Sequence, residues 1–148
     1  SRGPAGRISA SGATSADVSD IGRIPLVGID NMFNLSMNAV REQTENLESK
    51  HNCIVLEHTP DFAPFVGPNF DGLLLCGHTH GGQIVFPVIG QPVSVSRFGL
   101  KYVSGLYPVA RGLMYVTRGI GAVSVPVRIG CPPEVTVLEL TAGGIART

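Results

Sequence analysis

The chain has 148 residues, enough for one domain with a sizeable core, and its 11 Lys plus Arg balance its 11 Asp plus Glu. A balanced charge sets up no field that would draw nucleic acid, so no nucleic-acid partner is expected and any attraction for phosphate must be local. No apolar run nears the roughly 20 residues needed to cross a bilayer, and three cysteines without a Cys-x-x-Cys pair suggest neither a disulfide framework nor a thiolate zinc site.

Residues 1–22 are rich in Gly, Ser and Ala without an apolar period and read as a loosely ordered segment. Ile24 to Ile29 reads as a short buried strand. Asn34 or Ser36 can cap a helix over about Met37 to Ser49, in which Ala39, Val40 and Leu47 make only a thin apolar stripe. Such a helix faces solvent. His51, next to Lys50, reads as a solvated cation at the helix end. Asn52 to Glu57 and Leu73 to Cys76 are nearly all apolar, as strands covered on both faces are, and Cys53 and Cys76 within them read as small buried hydrophobes. Both runs end at a histidine. That coincidence matters because ligands in layered α/β proteins gather beyond the carboxyl ends of strands.

Gln83 to Phe86 reads as a further strand and 87–101 as a Pro/Gly/Ser loop, in and around which Phe86, Val88, Ile89 and Phe98 could form an apolar lip or ordinary core. Tyr102 to Val109 and Leu113 to Thr117 read as a hairpin about Ala110-Arg111-Gly112, and Glu134 to Leu140 alternates as a final strand. The fold class is α/β with much sheet.

The chemistry concentrates in Leu73-Leu74-Leu75-Cys76-Gly77-His78-Thr79-His80-Gly81-Gly82-Gln83, where an apolar run delivers two imidazoles into a glycine-rich turn. If the backbone stays extended, both rings leave one face, with attachment points roughly 6 to 7 Å apart. They could then converge on one ion, or each could hold one member of a metal pair about 3.5 to 4 Å apart. His58, followed by Thr59 and the stiff Pro60, ends the neighbouring strand and is the third candidate ligand. Three imidazoles argue for Zn, Mn or Fe, because Mg and Ca prefer oxygen. Asp61 could orient a histidine or stabilise the turn. Arg118 and Arg128 could grip a phosphate or fix a loop by pairing with a carboxylate or carbonyl.

Gly77-His78-Thr79-His80 resembles the Gly-His-x-His signature of calcineurin-like metallophosphoesterases, and Ile54-Val55-Leu56-Glu57-His58-Thr59-Pro60-Asp61 resembles the strand that ends in a ligand histidine of that family. Tyr102-Val103-Ser104-Gly105-Leu106-Tyr107, Tyr115-Val116-Thr117-Arg118-Gly119-Ile120-Gly121, Pro126-Val127-Arg128 and Cys131-Pro132-Pro133-Glu134 resemble its branch of membrane-associated bacterial phosphodiesterases. The resemblance implies two packed mixed β-sheets flanked by helices, a four-layer sandwich, here incomplete. It covers the segment 23–141 as the C-terminal half of such a domain, with 142–148 a tail. It also implies two divalent transition metal ions (Mn, Zn or Fe), with His58 and His78 on one and His80 on the other, and a metal-bridging hydroxide that attacks a phosphoester.

The Asp-x-His, Gly-Asp-x-x-Asp and Gly-Asn-His motifs of the family are not in this chain, which begins at Ser1. The bridging aspartate and the general-acid histidine are therefore expected in a missing N-terminal half, and no catalytic residue is assigned here. The chain alone is expected to be inactive. The resemblance further implies a phosphoester substrate that could be lipid-linked, and membrane association through a missing N-terminal anchor. The competing expectation is a catalytically inactive scaffold of the same fold that binds a protein partner.

Overall fold

Short apolar runs bounded by glycine, proline and histidine become strands here, because none is long enough for a helix to bury. The computed structural model describes residues 14–18, 24–87 and 100–140. They form one six-stranded mixed sheet from β1 (Thr14–Val18), β2 (Ile24–Gly28), β3 (Ile54–Leu56), β4 (Leu73–Cys76), β5 (Gly105–Val109) and β6 (Gly112–Val116), in the order β1-β2-β3-β4-β6-β5. The inner strands β2, β3, β4 and β6 are parallel, and β1 and β5 pair antiparallel at the edges. The α/β class is as expected. The second packed sheet of the resemblance is not among the described residues.

Helix α1 (Met37–Glu48) starts where Ser36 accepts a hydrogen bond from the Ala39 N–H, so Ser36 and not Asn34 is the cap. Its buried stripe is Val40, Gln43 and Leu47. That stripe and the 3-10 turn Pro60–Phe65 pack on the sheet face carrying Val27, Val55, Leu74 and Met114, which align across the strands in one row. Cys53 and Cys76 sit in this core as free, buried thiols.

The opposite face departs from expectation. Its residues Ile54, Leu73, Leu75 and Tyr115 are only half-buried and Leu56 is exposed, so the inner strands are sealed on one side and not on both. A groove of about 630 Å³ runs over that face, between Leu56, Leu75 and Tyr115 on the sheet and Glu134, Thr136 and Leu138 on the C-terminal segment.

Three other expectations change. The segment 1–22, read as loosely ordered, contributes β1 at its residues 14–18, and its remainder lies outside the described residues. Gln83 to Phe86 is not a strand: positive φ at Gly81, Gly82 and Gln83 coils the chain, and Ile84 and Phe86 keep only isolated bridges, that of Ile84 to Ile129. Glu134 to Leu140 is not a strand either. Its alternation is real, since Val135 and Val137 are 82% and 91% exposed while Glu134 and Thr136 face inward, but among the described residues no strand pairs with it. The 87–101 loop falls mostly outside the described residues, as does the tail beyond 140.

Side chains hold that segment instead. The Tyr115 hydroxyl donates to Glu134 Oε1 at 2.6 Å and meets Thr136 Oγ1 at 2.9 Å, while Arg118 closes on Glu134 Oε2 through Nε at 2.7 Å and Nη2 at 2.6 Å. Hydrogen bonds from Tyr115 and Thr136, with the Arg118 charge, hold the Glu134 carboxyl down at about 2, against 4.5 ordinarily. A lowered folded-state pKa contributes stability above the unfolded value and loses it as pH falls through the folded one. Glu134→Gln should therefore lower the urea midpoint fully near pH 6, with the gap from wild type narrowing between pH 4.5 and about 2. A gap that stays constant over that range would refute the assignment.

Candidate metal centre

Because β2, β3, β4 and β6 are parallel, the loops after Gly28, Leu56, Cys76 and Val116 converge on one edge of the sheet. Backbone pairing continues past the strands into those loops. The Ile29 N–H donates to Leu56 O at 2.9 Å, Glu57 to Leu75 O at 3.1 Å, Gly77 to His58 O at 3.1 Å and Thr117 to Cys76 O at 2.9 Å. The histidine-bearing segments are thus held in register with the sheet. They do not hang from it as free loops.

The bond from Gly77 to the His58 carbonyl places His58 beside His78. Their rings stand edge to face with centroids 4.8 Å apart, and His58 Nε2 is 3.0 Å from His78 Nδ1. Two nitrogens bound cis to one ion at about 2.0 to 2.1 Å stand about 3 Å apart, so this pair fits a shared metal. Phe33, itself partly exposed, also packs against His78, at 5.7 Å between centroids.

The extended-backbone reading of His78 and His80 is overturned. Both residues take the left-handed conformation, with φ of 66° and 51°, and the Thr79 N–H reaches back to Gly77 O at 2.7 Å across His78. Residues other than glycine adopt such φ values uncommonly, histidine more often than most, and strained backbone of this kind clusters at functional sites. The alternation that would send both rings one way is lost. His80 instead rests with Nδ1 3.3 Å from the Gly121 carbonyl, in the loop after β6. Among the described residues no group of three or more His, Cys, Asp or Glu side chains is disposed to hold a single ion.

Glu57 and Asp61, which flank His58 in the chain, are both buried. Glu57 is 4% exposed and accepts hydrogen bonds from the Met32 N–H at 3.1 Å and from the Thr59 N–H, so it ties the loop after β2 to the loop after β3. Burial pushes its carboxyl up to about 7, against the opposing pull of those bonds. Asp61 is fully buried in the 3-10 turn, and burial, with both acids nearby, drives the Cys76 thiol upward. Asp61 lies in the first turn of the 3-10 segment Pro60–Phe65. His51, exposed just beyond the end of α1, has Nδ1 2.9 Å from Asp71 Oδ2, which lies on the far side of β3 in the chain.

Arg118 and Arg128 both resolve toward loop fixing: Arg118 on Glu134, and Arg128 on backbone carbonyls. Gln83 was not singled out by the sequence. Its side-chain amide donates to Val123 O and Val125 O and accepts from the Val123 N–H, all at 2.7 to 3.0 Å, clamping the loop after β6. Phe86 is 41% exposed, while Val88, Ile89 and Phe98 lie outside the described residues.

Comparison with known proteins gives the same family as the motifs. The chain is 41% identical over 87 residues to phosphodiesterase YaeI of Escherichia coli, covering 59% of the chain and 32% of that protein. It is 33% identical over 141 residues to a transmembrane protein with metallophosphoesterase domain of Bos taurus, covering 88% and 30%. It is 27% identical over 132 residues to UDP-2,3-diacylglucosamine pyrophosphatase LpxG of Chlamydia muridarum, covering 84% and 39%. The chain thus spans well under half the length of these curated relatives. No family model and no solved structure matches it. Through relatives that align over most of its length, the chain belongs to the metallophosphoesterase family.

Proposed function

We propose that this chain supplies the histidine side of a dinuclear, metal-dependent phosphoester hydrolase acting on a phosphodiester or pyrophosphate. The observation that carries the reading is the 3.0 Å approach of His58 Nε2 to His78 Nδ1 at the edge where the parallel strands end. Two divalent transition metal ions (Mn, Zn or Fe) held there would polarise phosphoryl oxygens and acidify water. His58 and His78 would share one ion and His80 would serve the other. This chain's part is to fix those imidazoles: the Gly77 to His58 bond sets their spacing, and Glu57 anchors the turn that carries His58.

The site is incomplete on this reading, because among the described residues no group of three or more His, Cys, Asp or Glu side chains is disposed to hold an ion, and Glu57 and Asp61 are buried. The half-open sheet face supports the same view, since it leaves a layer of the fold uncovered. The pyrophosphatase relative acts on a diacylated sugar nucleotide by its name, which supports a lipid-linked substrate, and the transmembrane relative supports association with a membrane. Among the described residues no helix is long and apolar enough to cross one.

The test is turnover of a generic phosphodiester, bis(p-nitrophenyl) phosphate, with Mn²⁺ or Zn²⁺ supplied. The full-length protein containing this chain should hydrolyse it, lose activity to EDTA and regain it with metal, whereas residues 1–148 alone should be inactive. Robust turnover by residues 1–148 alone would overturn the incomplete site. A metal-loaded full-length protein without turnover would overturn the hydrolase and leave the protein-binding scaffold.

A further inference from the structure

Arg128 lies in none of the ligand segments, yet its guanidinium ties them together. Nη1 donates to His80 O at 2.9 Å and Cys131 O at 3.3 Å, Nη2 to Arg118 O at 2.7 Å, Gly119 O at 3.2 Å and Gly121 O at 2.6 Å, and Nε to Gly121 O at 3.0 Å. One side chain thus binds carbonyls from the turn after β4, the loop after β6 and the segment that follows. The Cys131 thiol adds a contact to Gly81 O at 3.1 Å, and Gly81 is packed so closely on Arg118 and Cys131 that a Cβ there would clash with both. A planar fork of five N–H donors can satisfy several carbonyls at once, which a lysine ammonium cannot do in the same geometry.

Gly121 O is the point where this clamp meets the site. It accepts from Arg128 twice and also faces His80 Nδ1 at 3.3 Å. We infer that Arg128 is a positioning residue for His80: by gripping the Gly121 carbonyl it holds the acceptor that keeps the proton on Nδ1, so that the lone pair is presented on Nε2. This rests on the reading of His80 as a metal ligand. An imidazole in water prefers the opposite tautomer, with the proton on Nε2, so the fixed carbonyl has a definite effect to exert.

The test is ring-nitrogen NMR of the ¹⁵N-labelled chain, metal-free and above the histidine titration range, followed by titration with Mn²⁺ and its paramagnetic broadening. Wild-type His80 should carry its proton on Nδ1. In Arg128→Lys and Arg128→Met it should move to the Nε2–H form, and broadening of its ring should need about 10 to 100 times more Mn²⁺, the usual cost of losing an outer partner of a ligand. His58 and His78 should broaden as before in both variants, which a general loosening of the fold would not allow. An unchanged His80 tautomer in the variants would overturn the inference. So would an Nε2–H tautomer in the wild type, which needs no variant to fold. If no imidazole of the wild type broadens, the metal-ligand reading fails, whereas the tautomer result still decides the role of Arg128.

Discussion

His78→Ala, in the full-length protein supplied with Mn²⁺, should lower kcat/KM for bis(p-nitrophenyl) phosphate by on the order of 10³-fold. Loss of an outer partner of a ligand costs about 10 to 100-fold, and removal of the ligand itself must cost more. The substitution also strips His58 of the nitrogen 3.0 Å from its Nε2, so the two-nitrogen set becomes a single imidazole. His78 is half-exposed, so its side chain contributes little to the core, but alanine tolerates a φ of 66° less well than histidine, so a loss of folding must be separated from a loss of ligation. His78→Asn, a residue that tolerates this backbone, separates the effects by keeping the turn while removing the imidazole. Melting temperatures close to wild type with both activities lost would establish ligation. Activity within about tenfold of wild type in both variants would remove His78 from the metal centre.

Local chemistry is where the sequence could be read. The apolar runs of β3 and β4, the helix from Met37 and its Ser36 cap carry their signals within a few residues, and each appears where those signals lie. The pairing of His58 with His78 was legible for the same reason, since parallel neighbours ending at histidines must bring them to one edge. What failed depended on partners distant in the chain. Gly112 reads as a turn glycine, yet it opens β6, where a Cβ would collide with the Gly72 backbone across the sheet. The periodicity from Glu134 to Leu140 is that of a strand, but a ladder needs a neighbour, and the alternation records only which side chains face Tyr115. His-x-His spacing says nothing about φ, so the left-handed turns that send His80 to Gly121 were invisible. Arg128 and Gln83 act on backbone carbonyls, those of His80, Val123 and Val125 lying 40 or more residues away, and carbonyls leave no trace in a residue pattern.

Phe62→Ala should destabilise the chain by about 3 to 5 kcal/mol, the usual cost of deleting a buried aromatic side chain. Phe62 is fully buried in the 3-10 turn Pro60–Phe65, with the Phe65 ring 6.3 Å away and the core row Val55, Leu74 and Met114 in the same cluster. Against a typical total of about 5 to 15 kcal/mol, the loss is a large fraction of the stability of a small domain. Phe62→Leu, which leaves a smaller cavity, should cost less, and urea titrations with a common slope measure both. A loss below about 1 kcal/mol for alanine would mean the turn is not anchored through this ring. The consequence reaches the metal centre, because the turn begins immediately after His58 and Thr59. Glu57 can hold the Thr59 N–H in place only while the turn beyond it stays packed. Loosening the turn should therefore weaken Mn²⁺ binding at His58 before the sheet itself unfolds, whereas the His80 contact to Gly121, fixed from the other side by Arg128, should persist.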